Sequence, residues 1–120
     1  MKYLVIASHP DDEILGCGGS IAKWSLEGNE VHVLILAEGA TSRDKNRNSE
    51  YRKDEISMLA QAAKRSADIL NVKSLTLFNY PDNRMDSLDL LDVVKFIENN
   101  IEKLKPDAVA THHLGDLNID

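Results

Sequence analysis

Residues 3–13 read YLVIASHPDDE, and this stretch sets the expectation for the whole fold. A short apolar run over residues 3–8 is followed at once by an imidazole and by adjacent carboxylates. The run is typical of a buried β-strand, so the polar residues fall in the turn that leaves it. Adjacent carboxylates repel one another in water, whereas a divalent cation makes them compatible. The stretch therefore predicts a strand that ends at a metal site.

Downstream of this stretch, apolar runs alternate with segments of helical period. The pattern predicts strands over residues 3–8, 31–36, 75–78 and 107–111. Helices are predicted over residues 11–27 and 56–70, and a third helix is predicted to start after Asp86 and to end before Pro106. A β-α-β-α-β-α-β order favours parallel strands joined by right-handed crossovers. We therefore expect an α/β fold, a Rossmann-like three-layer sandwich with a mostly parallel sheet.

Two local features refine this expectation. Residues 38–50 have no apolar period and are predicted to form a long polar loop. Asp86 is predicted to cap the third helix at its N-terminus. The inward face of that helix is predicted to consist of Leu90, Val93, Val94, Ile97, Ile101 and Leu104.

Composition limits the classes of protein to consider. A chain of 120 residues, 42% hydrophobic and 28% charged, is expected to form one domain over residues 1–120. No segment is long and apolar enough for a bilayer span, and the apolar start is too short for a secretion signal. Its single cysteine, Cys17, cannot form an internal disulfide, which favours a reducing compartment and hence the cytoplasm. The net charge of -6 disfavours nucleic acid as a partner.

Polar residues follow each predicted strand. In parallel sheets, ligands bind at the carboxyl ends of the strands. Four segments are therefore expected to converge at one edge, namely residues 9–13, 38–47, 80–84 and 112–120. These segments carry His, Asp and Asn, the residue types that bind metals and sugar hydroxyls.

Three of these segments together resemble one known family. HPDDE at residues 9–13, YPDNRMD at 80–86 and THHLGDLNID at 111–120 are similar, in this order, to motifs of the LmbE-like (PIG-L) zinc de-N-acetylases. The resemblance implies a hydrolase that removes an N-acetyl group from an amino sugar or a sugar conjugate. The implied partner is a small N-acetylated sugar, and homo-oligomerisation is left open.

The resemblance also implies roles for the first motif. His9 and Asp12 would bind zinc, and Asp11 would be the general base. An imidazole and a carboxylate suit Zn²⁺ and leave a position for water, whose pKa zinc lowers to about 7. The same ligands accept other divalent metals such as Fe²⁺ or Co²⁺.

The last motif departs from the family pattern. The family's third ligand is the His of an Asp-His pair, which here would follow Asp120, and the sequence stops at Asp120. We expect either a fragment that is incomplete at its C-terminus or a site completed by His112 or His113. Some relatives also carry an oxyanion-stabilising His where this chain has Asn118, and His113 is our substitute for that catalytic role.

Further residues are expected around this site. Asp82 is a candidate substrate-binding carboxylate by family analogy, or an ordinary turn former. Arg43, in a locally basic loop, is a candidate for binding a substrate phosphate or nucleotide, or else part of a solvated face. Glu13 and Asp120 are expected to hydrogen-bond to the metal ligands and orient them. Glu13 could equally be an ordinary acid in the first turn of a helix.

Glycines 16, 18 and 19 suggest a different class, a non-catalytic metal- or nucleotide-binding Rossmann-like module. The details fit poorly. The glycines begin inside the predicted helix, and Asp11, Asp12 and Glu13 would repel a pyrophosphate. Small residues there more simply let the first helix approach the sheet.

Overall fold

The computed structural model describes residues 1–120 and contains one four-stranded sheet. Its strands are β1 (Lys2–Ala7), β2 (Glu30–Ala37), β3 (Ser74–Tyr80) and β4 (Ala108–Ala110). Its α-helices are α1 (Asp12–Leu26), α2 (Lys53–Ile69) and α3 (Leu90–Leu104), with a 3₁₀ turn over Met85–Ser87. The strand order is β3-β2-β1-β4, and every pair is parallel. The predicted α/β fold is confirmed.

The two central strands are buried on both faces, as their continuous apolar runs predict. Because successive side chains point to opposite faces, the two sets of residues build two separate cores. One core joins Val5, Val33 and Ile35 to Ile21 of α1 and Ala63 of α2. The other core joins Leu4, Ile6, Leu34, Leu36, Ala37 and Met85, and Phe96, Ile97, Ile101 and Leu104 of α3 pack against it. The sheet therefore lies between α1 and α2 on one face and α3 on the other.

The third helix begins later than predicted. Asp86 lies in the 3₁₀ turn, and Asp89 precedes the first residue of α3. The prediction that Asp86 caps the helix is wrong because this extra turn carries Met85, which is 7% exposed, into the core before the chain extends again.

The predicted inward face of α3 also needs correction. Leu90 and Val94 are 76% and 39% exposed. Phe96 packs instead, with its ring 4.2 Å from that of Phe78 on β3. Leu90 and Val94 lie seven residues before Ile97 and Ile101 and therefore share their helix face. The packed part of this face is its C-terminal part, from Phe96 to Leu104, and the N-terminal part is left more exposed.

Loops after the strands then gather at one edge of the sheet. Residues 38–50 contain no helix or strand, as predicted, and the loop continues to residue 52. No helix is long and apolar enough to cross a bilayer.

Candidate metal centre

A polar cavity of about 400 Å³ opens at the carboxyl edge of the sheet. Its lining includes Ser8, His9 and Asp12 after β1, and His112, Asp116 and Asp120 after β4. These strands are hydrogen-bonded neighbours, so residues far apart in sequence meet at their ends. The cavity therefore combines the first and last of the motifs in the sequence.

His9 stands at the centre of the polar contacts. Its Nδ1 lies 3.2 Å from Asp12 Oδ2. Its Nε2 lies 2.8 Å from Asp120 Oδ2 and 3.2 Å from Asp82 Oδ1. Burial alone would lower the pKa of His9, but the hydrogen bond to Asp120 and the charges of Asp82 and Asp12 outweigh it and raise the pKa. An imidazole that has a carboxylate beside each ring nitrogen can bind a cation through one of the two nitrogens.

Asp12 connects His9 to the end of β4. Its Oδ2 accepts the backbone N–H of His9 at 3.1 Å and lies 3.6 Å from His112 Nε2. Asp12 Oδ2 therefore lies close to a ring nitrogen of His9 and to a ring nitrogen of His112. Imidazole nitrogens and a carboxylate oxygen are a donor set that fits Zn²⁺ and similar ions.

A second group could also hold a metal. One ligand atom each from His9, Asp82 and Asp120 lie within 4.8 Å of one another. The carboxylates of this group already accept backbone N–H groups. Asp120 accepts those of Asn83 at 2.5 Å and Met85 at 3.0 Å, and Asp82 accepts that of Ser42 at 3.2 Å. His9 is common to both groups.

Asp11 has an unusual backbone at the start of α1. Its φ is 154°, in a region that residues other than glycine seldom occupy. Its N–H donates to Glu13 Oε2 at 3.0 Å. Loss of hydration and the neighbouring charge of Asp12 raise the pKa of the Asp11 carboxyl. A raised pKa suits a carboxylate that must accept a proton near neutral pH.

Glu13 itself is buried, at 5% exposure. Burial raises the pKa of its carboxyl, against the hydrogen bonds that it accepts. Its side chain turns away from solvent and back to the Asp11 amide. This contact differs from that of an ordinary solvated acid at a helix start.

The two neighbouring histidines after β4 have different surroundings. His112 Nε2 accepts the backbone N–H of Ser8 at 3.0 Å, and its Nδ1 lies 3.4 Å from Asp116 Oδ2. His113 Nδ1 accepts the N–H of Gly115 in its own turn. Of the two, His112 therefore approaches Asp12, whereas His113 lines the cavity from an exposed position.

Asn118 ties the last motif to the turn after β3. Its Nδ2 donates to Asn83 Oδ1 at 2.7 Å, and its Oδ1 accepts the N–H of Asp120 at 2.9 Å. These bonds help to hold the Asp120 side chain, which is fully buried, beside His9.

The polar loop of residues 38–52 is held by ion pairs that sequence reasoning missed. Arg47 binds the buried Glu38 through Nε at 3.1 Å and Nη2 at 2.7 Å. Arg52 binds Asp44 through two nitrogens at 3.1 and 2.8 Å, and this hydrogen bonding lowers the pKa of Asp44. The sequence shows arginines and acidic residues close together in this loop, but it does not show which arginine pairs with which acid. Arg43 is exposed and forms no ion pair.

Comparison with known proteins adds independent findings. The family model described as PIG-L: GlcNAc-PI de-N-acetylase matches residues 4–120. A diacetylchitobiose deacetylase of Thermococcus kodakarensis is 32% identical over 109 residues, which are 90% of this chain and 39% of that protein. The chain thus spans about two fifths of that relative.

Solved structures share the fold. The N,N'-diacetylchitobiose deacetylase of Pyrococcus horikoshii has a TM-score of 0.76 and 29% identity, over 90% of this chain and 39% of that one. GalB of Pseudomonas putida, a 4-carboxy-2-hydroxymuconate hydratase, has a TM-score of 0.78 and 27% identity, over 99% of this chain and 50% of that one. Deacetylases and a hydratase are therefore both built on this arrangement of strands and helices.

Proposed function

Because the chain belongs to the PIG-L family, we propose that the protein is a metal-dependent hydrolase that removes the N-acetyl group of an amino sugar or sugar conjugate. Support comes from the match over residues 4–120 and from a relative that is named as a deacetylase of an N-acetylated sugar. The chain covers 39% of that relative, so the proposal concerns the activity of the intact protein. Residues 1–120 would then belong to a single deacetylase domain.

One observation carries the proposal, namely that His9 has a carboxylate beside each ring nitrogen. Asp12 is beside Nδ1, whereas Asp120 and Asp82 are beside Nε2. A metal-binding His commonly donates its other N–H to a carboxylate, which fixes the tautomer and raises its basicity. Asp82 and Asp120 together accept three backbone N–H groups, whereas Asp12 accepts one, so Asp82 and Asp120 are better suited to accept the Nε2–H of His9 than to bind the metal. His9 Nδ1 and Asp12 Oδ2 are then the ligand atoms.

The third position would involve a residue outside this chain or His112, whose Nε2 would have to exchange the Ser8 N–H that it accepts here for the metal. His112 Nε2 is 3.6 Å from Asp12 Oδ2, with Asp116 near its other nitrogen. This repeats the pairing of imidazole with carboxylate that is seen at His9. His113 is directed into its own turn, but it lines the same cavity and keeps its proposed role beside the substrate carbonyl.

The metal, when bound, supplies Lewis-acid chemistry and lowers the pKa of water. Zn²⁺ is our choice from the donor set, with Fe²⁺ and Co²⁺ as alternatives. Asp11 accepts a proton from the water that attacks the amide carbon, and it returns the proton to the departing nitrogen. The new bond joins water oxygen to the acetyl carbon, the C–N bond breaks, and the products are acetate and an amine.

The substrate side of the site is proposed from charge and exposure. Arg43 is exposed and unpaired, so it is free to contact an anionic group on the sugar conjugate. The formal net charge of -6 still disfavours nucleic acid. The single cysteine still favours the cytoplasm.

The test is a turnover assay on the intact, metal-loaded protein. N,N'-diacetylchitobiose and N-acetylglucosamine serve as substrates, and free amine and acetate are measured together. Equal amounts of both products are expected, and the Asp11→Asn variant is the control for background hydrolysis. Metal binding without amine release would instead favour a non-catalytic module. Hydration of 4-carboxy-2-hydroxymuconate without amine release would favour the hydratase chemistry of the solved relative.

A further inference from the structure

Asp82 is a buried carboxylate that touches two distant parts of the chain. The residue is 4% exposed and lies in the turn after β3. Its Oδ1 is 3.2 Å from His9 Nε2, and its Oδ2 accepts the backbone N–H of Ser42 at 3.2 Å. Each oxygen thus already has one partner within the protein, and the contact with a sugar hydroxyl expected for Asp82 stays a prediction beside these two contacts.

Ser42 belongs to the polar loop of residues 38–52, whose path is set by buried charge. Arg47 makes a two-pronged ion pair with Glu38, whose side chain is 2% exposed. Thr41 also donates its hydroxyl to Glu38, and Arg84 donates to the backbone carbonyl of Asp44. The segment on both sides of Ser42 is therefore tied to the body of the protein.

Asp120 also contacts His9 Nε2, but it has no contact with this loop. Its carboxylate accepts the N–H groups of Asn83 and Met85, which belong to the turn that carries Asp82. Both acids contact the imidazole, and both are attached to the turn after β3, Asp82 as part of it and Asp120 through hydrogen bonds. Only Asp82 extends the connection from His9 to Ser42.

We infer that Asp82 is a positioning residue through which the loop of residues 38–52 sets the orientation of the His9 imidazole. The inference rests on the proposed function only where it concerns metal affinity, because the contacts themselves involve no metal. A ligand that shifts this loop changes the affinity of His9 for the cation. By linkage, the cation changes the affinity for that ligand by the same factor. Arg43 lies in this loop, so an anionic substrate group that binds Arg43 would be such a ligand.

A double-mutant cycle tests the connection. Asp82→Asn keeps the size of the side chain but offers an amide N–H group to donors, so one of its two bonds is lost. Arg47→Gln frees the loop without touching His9 or Asp82. Each single variant and the double variant are compared by the ¹⁵N shifts of the His9 ring without metal, and by Co²⁺ titration followed by absorption. Asp86→Asn in the neighbouring turn and Lys45→Gln in the loop are matched controls.

The expected result is a weakening of Co²⁺ binding by about 10- to 100-fold in Asp82→Asn, as for other residues that orient a metal ligand. Arg47→Gln is expected to shift the His9 resonances and weaken Co²⁺ binding in the parent, but to add nothing in the Asp82→Asn background. Both controls are expected to match the parent.

Additive effects of the two variants, or His9 resonances that neither variant moves, would overturn the inference. Circular dichroism checks the fold of each variant. If Asp82→Asn does not fold, Arg47→Gln and the milder Arg47→Lys decide by the His9 shifts alone, and unmoved shifts count against the inference. Failure of amine release with an intact effect on His9 would reject the proposed function and leave this inference standing.

Discussion

The buried carboxylate of Glu13 accepts the backbone N–H of Asp11 at 3.0 Å, across the first turn of α1. This bond reaches a residue whose φ of 154° is costly for a side chain other than glycine. Glu13 is only 5% exposed, so the bond is shielded from water. The strained conformation of Asp11, the proposed general base, is therefore supported by a specific partner.

Substitution of Glu13 separates this role from simple helix capping. Gln at this position keeps a side-chain acceptor for the Asp11 amide, whereas Ala leaves that amide only the His9 carbonyl at 3.0 Å. We expect Glu13→Ala to lower kcat by about 100-fold, as for a misplaced catalytic group, with metal content unchanged. Glu13→Gln is expected to restore most of kcat. Equal loss in both variants would show that the charge, rather than the hydrogen bond, matters.

Asp11→Asn tests the proton transfer directly. The amide is similar in size but cannot accept the proton from water, so kcat is expected to fall by about 10²- to 10⁴-fold. Metal content, measured by elemental analysis, is expected to stay at the parent level. A variant that cleaves the substrate as fast as the parent would remove Asp11 from the mechanism.

Asp12→Ala and Asp120→Ala together decide which side of His9 holds the metal. If the cation binds Nδ1, the first variant loses a ligand and is expected to lose measurable Co²⁺ binding. The second loses only one of the two carboxylates beside Nε2 and is expected to weaken binding by about 10- to 100-fold. The reverse order of affinities would assign the cation to the group of His9, Asp82 and Asp120. Asp86→Ala is the control, since Asp86 is exposed.

Acid is expected to weaken the anchoring of the polar loop. Arg52 binds Asp44 and lowers the pKa of its carboxyl, so the folded state favours the charged form. The contribution of Asp44 to stability is therefore present above the carboxyl's unfolded pKa, near 3.9, and is lost as the pH falls through its lower folded value. The Tm difference between the parent and Asp44→Asn is expected to shrink from pH 7 to pH 3.

The exposed Glu98→Gln variant is the control for this pH series, since Glu98 forms no ion pair. Its Tm difference from the parent is expected to stay small throughout. A difference for Asp44→Asn that grows toward low pH would contradict the assigned sign.

Local patterns were sufficient for the strands and most of the helices. The run at residues 31–36 is apolar throughout, and burial on both faces of a parallel sheet follows from that alone. Errors arose where a distant contact outweighed the local pattern. The side chain of Asp86 is suited to capping a helix, yet Asp86 lies in a 3₁₀ turn in which Met85 is buried. Phe96 packs against the ring of Phe78, a contact between residues far apart in sequence.

The motif at residues 9–13 was enough to place a cluster of His and Asp after the first strand, because the apolar run and the turn are neighbours in sequence. Sequence could not show that Asp82 is buried against His9 and Ser42, or that His112 rather than His113 approaches Asp12. Such contacts depend on how the strand ends align and which way each loop leaves the sheet. A hydrogen bond requires placement to within a few tenths of an ångström, and only the packed chain supplies that.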